Sequence, residues 1–240
     1  MIFWKVHGSG NDFILIEDYD ESFPLKSVPA ICDRNLGIGA DGVLLLQKSE
    51  SADVKMRIFN QDGSEATMCG NGLRCVVRHL GKNCIIETKA GISHGDFSKN
   101  LIKVSLPKAK ILSSFTLENN LKGHIVDTGT PHLVIFTEEV DNANLLLFAT
   151  NYRSQNAINV NLAQIKQNGI QVRTFEKGVE TETLSCGSGG AAVTLVYGKN
   201  AEINFIGAKL NYTFDDTGKL WMEGPAHEVF QGTICLNNEI

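Results

Sequence analysis

Two periods of hydrophobicity run through this chain. Leu73, Val76, Val77 and Leu80 fall at i, i+3, i+4 and i+7, one apolar face of a helix. Val54-Lys-Met-Arg-Ile-Phe59 instead alternates apolar and polar residues, as a half-buried strand does. Short apolar runs at Phe3–His7, Phe13–Ile16, Val43–Leu46, Cys84–Thr88 and Leu101–Leu106 predict further strands. Glycine-rich or polar turns punctuate them at Gly8–Asp12, Gly37–Gly42 and Asn60–Glu65, the last with an Asp62-Gly63 turn signal. Val28–Asn35 reads as a short helix between strands. Later in the chain, Ala191, Ala192, Val193, Leu195 and Val196 are small and apolar, consistent with a more buried helix.

The second half retraces the first. Ile125–Thr130 and Leu133–Phe136 resemble the opening strands, and Ala157–Leu162 resembles the segment through Asp41–Leu44. Arg173 follows Arg57 by 116 positions, Cys186 follows Cys69 by 117, and Pro225 follows Pro107 by 118. In that last match Gly218–Pro225 lies over Asn100–Pro107. A drift this small argues for internal duplication, and two repeats are too few for a solenoid. The expectation is two similar α/β domains, residues 1–112 and 113–225, with 226–240 returning to the first through a strand around Val229–Leu236. The polar stretch Lys108–Asn120 is expected to connect them. Related domains facing one another would place equivalent sites on either side of a cleft, where small-molecule pockets tend to lie.

Composition excludes several functions. The net charge is −5 with no basic run, which argues against nucleic acid. No apolar run approaches the about 20 residues that span a bilayer. The start Met1-Ile-Phe-Trp-Lys-Val-His-Gly8 lacks a signal-peptide pattern, so a cytoplasmic protein is expected. The six cysteines are therefore read as reduced. No C-x-x-C and no paired-histidine spacing occurs, so no metal site is expected.

Candidate chemistry centres on the repeated motif. Met68-Cys-Gly-Asn-Gly-Leu-Arg-Cys75 and Ser185-Cys-Gly-Ser-Gly-Gly-Ala-Ala192 each place a cysteine at a helix start. Helix N-termini offer unpaired N–H groups and positive potential, which lower a thiol's pKa and bind carboxylates. Cys32, Cys84 and Cys235 lie in apolar sequence and read as buried small hydrophobes, and Cys75 as packed on its own helix. Gly37-Ile-Gly-Ala-Asp-Gly42 matches a dinucleotide fingerprint but precedes a strand, the wrong order. A cysteine hydrolase using His132 would leave the second cysteine unexplained. Two thiols on opposite faces of one carbon explain both: one removes a proton and the other returns it, inverting the centre. Helix starts would hold the substrate carboxylate and stabilise its developing charge.

At these residues the chain resembles the diaminopimelate epimerase family. The motifs are His7-Gly-Ser-Gly-Asn-Asp-Phe13, Gly37–Gly42, Arg57–Glu65, Met68–Cys75, Thr128-Gly-Thr-Pro-His132, Arg173-Thr-Phe-Glu176 and Ser185–Gly189, in order over essentially the whole chain. The resemblance implies two pseudo-symmetric α+β domains, each a mostly antiparallel sheet around a central helix, with the active site in the cleft between them. It implies interconversion of LL- and meso-2,6-diaminopimelate, in lysine and peptidoglycan precursor biosynthesis, with no pyridoxal phosphate or other cofactor. Cys69 and Cys186 would be acid and base, and His132 and Glu176 would tune them. Gly70, Asn71, Gly187 and Ser188 would hold the reacting carboxylate, and Asn11, Asn60, Asn159 and Glu176 would bind substrate.

Three positions depart from the family pattern. Thr130 stands where asparagine is common, Lys177 where arginine is usual, and Gly42 where some members have glutamine. Lysine offers no planar bidentate fork. Thr130 and Lys177 correspond to contacts with the distal end of the substrate, so wider acceptance, such as glutamate racemisation, is an expectation to test. The chain is also somewhat shorter than is usual for the family. The competing readings are another cofactor-independent racemase, acting on proline or hydroxyproline, and a non-catalytic thiol sensor. Oligomeric state is left open, with a homodimer among the options.

Overall fold

The short apolar runs fold into strands that pair in the same pattern in each of two units. The computed structural model describes residues 1–98, 101–117, 120–177 and 182–236. Asn100 and residues 237–240, which entered the expectations above, lie outside them. The chain divides into two compact units, Met1–Ser105 with Gly224–Ile240, and Leu106–Glu223. The first begins with β1 (Ile2–Gly8), β2 (Asn11–Glu17), α1 (Val28–Cys32), β3 (Gly42–Gln47) and β4 (Val54–Asn60). It continues with β5 (Glu65–Ala66), α2 (Gly70–Leu80), β6 (Cys84–Thr88), β7 (Gly91–Phe97) and β8 (Ile102–Ser105). The second holds β9 (Lys110–Thr116), β10 (Lys122–Asp127), β11 (Pro131–Phe136), α3 (Ala143–Asn156), β12 (Asn159–Lys166) and β13 (Gly169–Phe175). It ends with β14 (Glu182–Thr183), α4 (Gly187–Tyr197), β15 (Ala201–Asn204), β16 (Lys209–Phe214) and β17 (Leu220–Gly224). The last strand, β18 (His227–Thr233), belongs to the first unit.

In the first unit the strand order is β18-β1-β2-β3-β4-β6-β7-β8. In the second it is β9-β10-β11-β12-β13-β15-β16-β17. Neighbours are antiparallel except β2–β3 and β4–β6, and their counterparts β11–β12 and β13–β15. Parallel neighbours require a crossover, and the four helices lie on those four crossovers. The expected duplication and mixed α+β class are thus present at the level of strand pairing. Equivalent edges come from unlike places in the chain: β9 opens its unit, whereas β18 closes the chain and pairs with β1.

Some elements differ from the reading of the sequence. The stretch expected as a polar connection contains β9, whose residues are all exposed. Its Ile111, Leu112 and Phe115 are apolar but exposed, and the polar residues that flank them masked the strand. The first helix stops at Cys32, because the Asp33 carboxylate takes the N–H groups of Asn35 and Leu36, both at 2.7 Å.

Alternation along the strands divides each core into two layers. Ile14, Ile16, Val43 and Leu45 pack with Val28, Ile31 and Cys32 on the α1 side. The intervening residue Leu44 turns towards α2, where Gly72 sits against it. In the second unit Leu133, Ile135, Val160 and Leu162 pack with Leu145 and Ala149 on the α3 side. All six cysteines are free thiols. Cys32, Cys75 and Cys84 are buried as expected, but Cys235 is exposed, because it follows the end of β18.

Candidate active site

Each unit delivers a cysteine to a helix start by the same route. Arg57 on β4 pairs with Glu65 on β5, Nε to Oε1 at 2.8 Å. Arg173 on β13 pairs with Glu182 on β14 at 2.6 Å. Four residues beyond each glutamate comes the cysteine, in extended backbone, capping a helix of 11 residues. Both helices end at left-handed glycines, Gly81 (φ 64°) and Gly198 (φ 74°). The Sγ of Cys69 accepts the Gly72 N–H at 3.5 Å, and that of Cys186 accepts the Gly189 N–H at 3.3 Å. N–H groups aimed at sulfur, with the positive helix end behind them, favour the thiolate over the thiol. Gly70 and Asn71, and Gly187 and Ser188, supply the preceding N–H groups of each first turn, which have no partner within the helix.

Around Cys69 the shell is built of amides. The thiol lies 3.7 Å from Asn11 Oδ1, which also accepts from Asn71 Nδ2 at 3.2 Å. The orientation of Asn11 is set by Asp41, whose Oδ2 accepts from Asn11 Nδ2 at 2.8 Å and so leaves Oδ1 facing the sulfur. Arg34 holds Asp41 at 2.8 Å and Asp12 at 2.7 Å. Burial pushes the Asp12 carboxyl up, but the hydrogen bonds from Arg34 and Lys5 outweigh it and bring the group down to about 2. Beneath the helix start, the fully buried Arg74 donates to Asn71 Oδ1 at 3.0 Å, Ser9 Oγ at 2.9 Å and the Pro225 carbonyl at 3.3 Å. Asn60 ends β4 opposite Gly42, and its amide donates to Ser64 within its own turn at 2.9 Å.

Around Cys186 the shell carries ionisable groups. Cys186 is buried. Burial pushes its thiol well above the ordinary range, and the negative charge of Glu176, which also hydrogen-bonds it, pushes the same way. The Ser188 hydroxyl, 3.4 Å from Sγ, and the Gly189 N–H oppose them. Glu176 is held by Thr183 Oγ1 at 2.6 Å. His132 does not act on the sulfur directly. Its Nε2 lies 3.1 Å from Ser188 Oγ and 3.2 Å from Thr130 Oγ1. Its ring is completely buried, which holds the imidazole down at about 3, so it is neutral throughout the physiological range. Asn159 Oδ1 accepts the backbone N–H of Lys177 at 2.8 Å, while the residue itself is exposed.

Strand register shows which residues occupy the same place in the two units. Arg57 faces Leu45 and Arg173 faces Leu162, so Leu44 corresponds to Asn161, and Gly42 to Asn159. Phe13 pairs with Gly42 and His132 with Asn159, so Phe13 corresponds to His132. The sequence profile of the diaminopimelate epimerase family matches residues 3–106 and 124–227, one stretch in each unit. The chain belongs to this family. The diaminopimelate epimerase of Methanocella arvoryzae is 40% identical, with 98% of this chain and 97% of that one covered. Those of Archaeoglobus fulgidus and Aquifex aeolicus are 35% and 34% identical, each over 98% of this chain, and 96% and 98% of their own. Among solved structures, a hydroxyproline epimerase from Agrobacterium vitis with bound trans-4-hydroxy-L-proline aligns with a TM-score of 0.78. It covers 100% of this chain and 92% of its own at 12% identity, a likeness of fold. A Bacillus anthracis phenazine biosynthesis protein aligns at 0.73, covering 98% and 99% at 16% identity.

Membership of the diaminopimelate epimerase family makes this an enzyme of the epimerase and racemase class, acting on a small molecule, and sets aside the non-catalytic thiol sensor. No helix among the described residues is long and apolar enough to cross a membrane. Of the residues singled out from the sequence, the structure gathers Asn11 and Asn71 about Cys69. It gathers His132, Thr130, Asn159, Glu176 and Ser188 about Cys186. It brings only the backbone of Lys177 into that second group, and it ties Asn60 to its own turn. Asp41, Arg74 and Asn161 were missed. Asp41 and Arg74 lay inside quoted motifs as a polar residue beside a turn and a charge on an otherwise apolar helix face. Asn161 follows Asn159 by two positions in the same strand, and only the first of the pair was singled out from the sequence.

Proposed function

We propose that this chain interconverts LL- and meso-2,6-diaminopimelate by passing the α-proton between two thiols, with no cofactor. The observation that carries the proposal is the repeated cysteine cap: two thiols, each receiving a helix-start N–H, in units of the same topology. A single-nucleophile enzyme has use for one such cap. In the proposed reaction a thiolate takes the α-proton and the electron pair left on carbon spreads onto the carboxylate. The N–H groups of Gly70, Asn71, Gly187 and Ser188 bind that carboxylate and the charge growing on it. The other thiol then delivers its proton to the opposite face, and the centre inverts. The roles exchange in the reverse direction.

Burial and the charge of Glu176 hold the proton on Cys186, and Asn11 Oδ1, an acceptor facing Cys69 Sγ, favours a proton there too, so in this reading either thiol can be the donor and the direction of the reaction decides which. Once Cys186 has donated, the Ser188 hydroxyl and the Gly189 N–H stabilise the thiolate left behind. Asn11, Asn60, Thr130, Asn159, Glu176 and Lys177 are assigned to substrate binding. The shared name of the relatives gives no support to the broader acceptance of glutamate, which is left to assay. A cytoplasmic enzyme serving lysine and peptidoglycan precursor supply completes the proposal.

The test is turnover of LL-diaminopimelate in heavy water. Deuterium is expected at the α-carbon of the meso product. Epimerisation without solvent exchange, or the absence of turnover, would reject the reading. Glutamate in the same assay measures distal specificity.

A further inference from the structure

The second half-site contains a buried polar chain that its counterpart lacks. Leu44 and Asn161 hold equivalent places, and each packs against the glycine that gives its N–H to the catalytic sulfur. A Cβ on Gly72 would lie 3.1 Å from Leu44 Cδ2, and one on Gly189 would lie 2.3 Å from Asn161 Oδ1. Both Leu44 and Asn161 are 0% exposed. The aromatic Phe13 of the first unit is likewise replaced by His132 in the second. Two polar side chains thus occupy places where an apolar pair suffices for folding, and burying them is costly unless every polar atom is satisfied.

They are satisfied, and the pattern determines a proton position. Asn161 Nδ2 lies 3.2 Å from the Leu133 carbonyl, which only accepts, so the atom there is the amide nitrogen. The same nitrogen lies 3.0 Å from His132 Nδ1, and Asn161 Oδ1 accepts from Thr174 Oγ1 at 3.0 Å. Nδ1 is therefore an acceptor, and the neutral ring carries its hydrogen on Nε2. Ser188 Oγ at 3.1 Å and Thr130 Oγ1 at 3.2 Å are there to receive it. Asn159 Nδ2, at 3.4 Å, is a more distant donor that the hydrogen turns away from. A Ser188 oxygen that accepts from His132 directs its own hydrogen to Cys186 Sγ.

We propose that Asn161 is a positioning residue: it selects the Nε2–H tautomer of His132, which turns Ser188 into a committed donor to Cys186. The proposal rests on the reading of Cys186 as an acid–base thiol. Asn161 touches neither substrate nor sulfur in this role. It acts through two intermediaries, and its effect is on the stability of the Cys186 thiolate.

Two experiments test it. In the unaltered enzyme, nitrogen NMR with labelled histidine should show His132 protonated at Nε2 and bare at Nδ1 across the neutral range. The opposite tautomer overturns the proposal whatever the activity, and this measurement stands if a variant fails to fold. Asn161→Leu installs the residue of the first unit, and Asn161→Asp installs an acceptor that draws the ring hydrogen to Nδ1. Each should lower kcat/KM about tenfold, leave KM within about twofold, and raise the thiol limb of the pH profile by about one unit. Ser188→Ala should raise the same limb, and adding Asn161→Leu to it should change little more. An unmoved limb in the Asn161 variants, or fully additive losses, would reduce Asn161 to packing. Should either Cys69→Ser or Cys186→Ser retain turnover, the two-thiol reading fails instead, while the tautomer measurement keeps its meaning.

Discussion

The surroundings of Cys69 and of Cys186 share a backbone frame and differ in most of the side chains beyond it. Both present a cysteine at a helix start, an N–H bonded to sulfur and an arginine–glutamate pair on the approach. Beyond that frame, Cys69 is half-buried among the amides Asn11 and Asn71, whereas Cys186 is buried with Glu176, Ser188 and the His132 chain behind it. The frame combines helix-start N–H groups with the cysteine and the arginine–glutamate pair, and both units keep it. The shell has diverged. In the proposed reaction the thiols exchange roles with direction, and the unlike shells set how readily each gives up its proton.

The largest expected effect concerns what the halves share. Cys69→Ser and Cys186→Ser should each lower kcat/KM by about 10² to 10⁴-fold, since each removes one of the two proton carriers of the proposed reaction. Steady-state epimerisation rates check this, and a loss confined to one variant would break the equivalence of the halves. Next comes the packing behind each sulfur. Gly189→Ala drives a methyl into a hydrogen-bonded, buried Asn161 at 2.3 Å and should cost about 2–3 kcal/mol, while Gly72→Ala meets a Leu44 methyl at 3.1 Å, which must give by only a few tenths of an ångström, and should cost about 1 kcal/mol or less. Denaturant unfolding of both variants compares them. Equal costs would mean that Asn161 yields as readily as leucine.

The smallest effect, taken over a single pH unit, is a pH dependence carried by His132 of the second unit. Burial lowers His132 from an ordinary 6.5 to about 3. Below 6.5 the unfolded chain binds a proton that the folded chain refuses. The stability from this residue is therefore full above 6.5 and declines as pH falls towards 3, by roughly 1 kcal/mol per pH unit. His132→Phe, the residue of the first unit, should flatten that part of the stability curve, as read by urea unfolding at stepped pH. An unchanged slope would show that the imidazole is protonated in place.

Much of this was legible in the residues alone, for local reasons. Strands of period two, helix faces, and a cysteine followed by glycines depend on neighbours a few positions apart. Parallel pairing could not be read from any single run, and neither could β9, an edge strand whose few apolar residues are exposed. The departures at Thr130 and Lys177 were visible as letters. Their different engagement, a hydroxyl on the His132 ring against a backbone N–H on Asn159, required the fold.

The sequence by itself determined that there are two thiols at two helix starts, about 117 positions apart, because capping is set by the few residues that flank each helix. Only the tertiary structure decided what each thiol feels. Asp41 orients Asn11 across 30 positions, and Asn161 orients His132 across 29, through strands whose register brings them side by side. Those contacts depend on which strand pairs with which, and in which register. That choice is settled by burying both layers of the core together, which no local pattern contains.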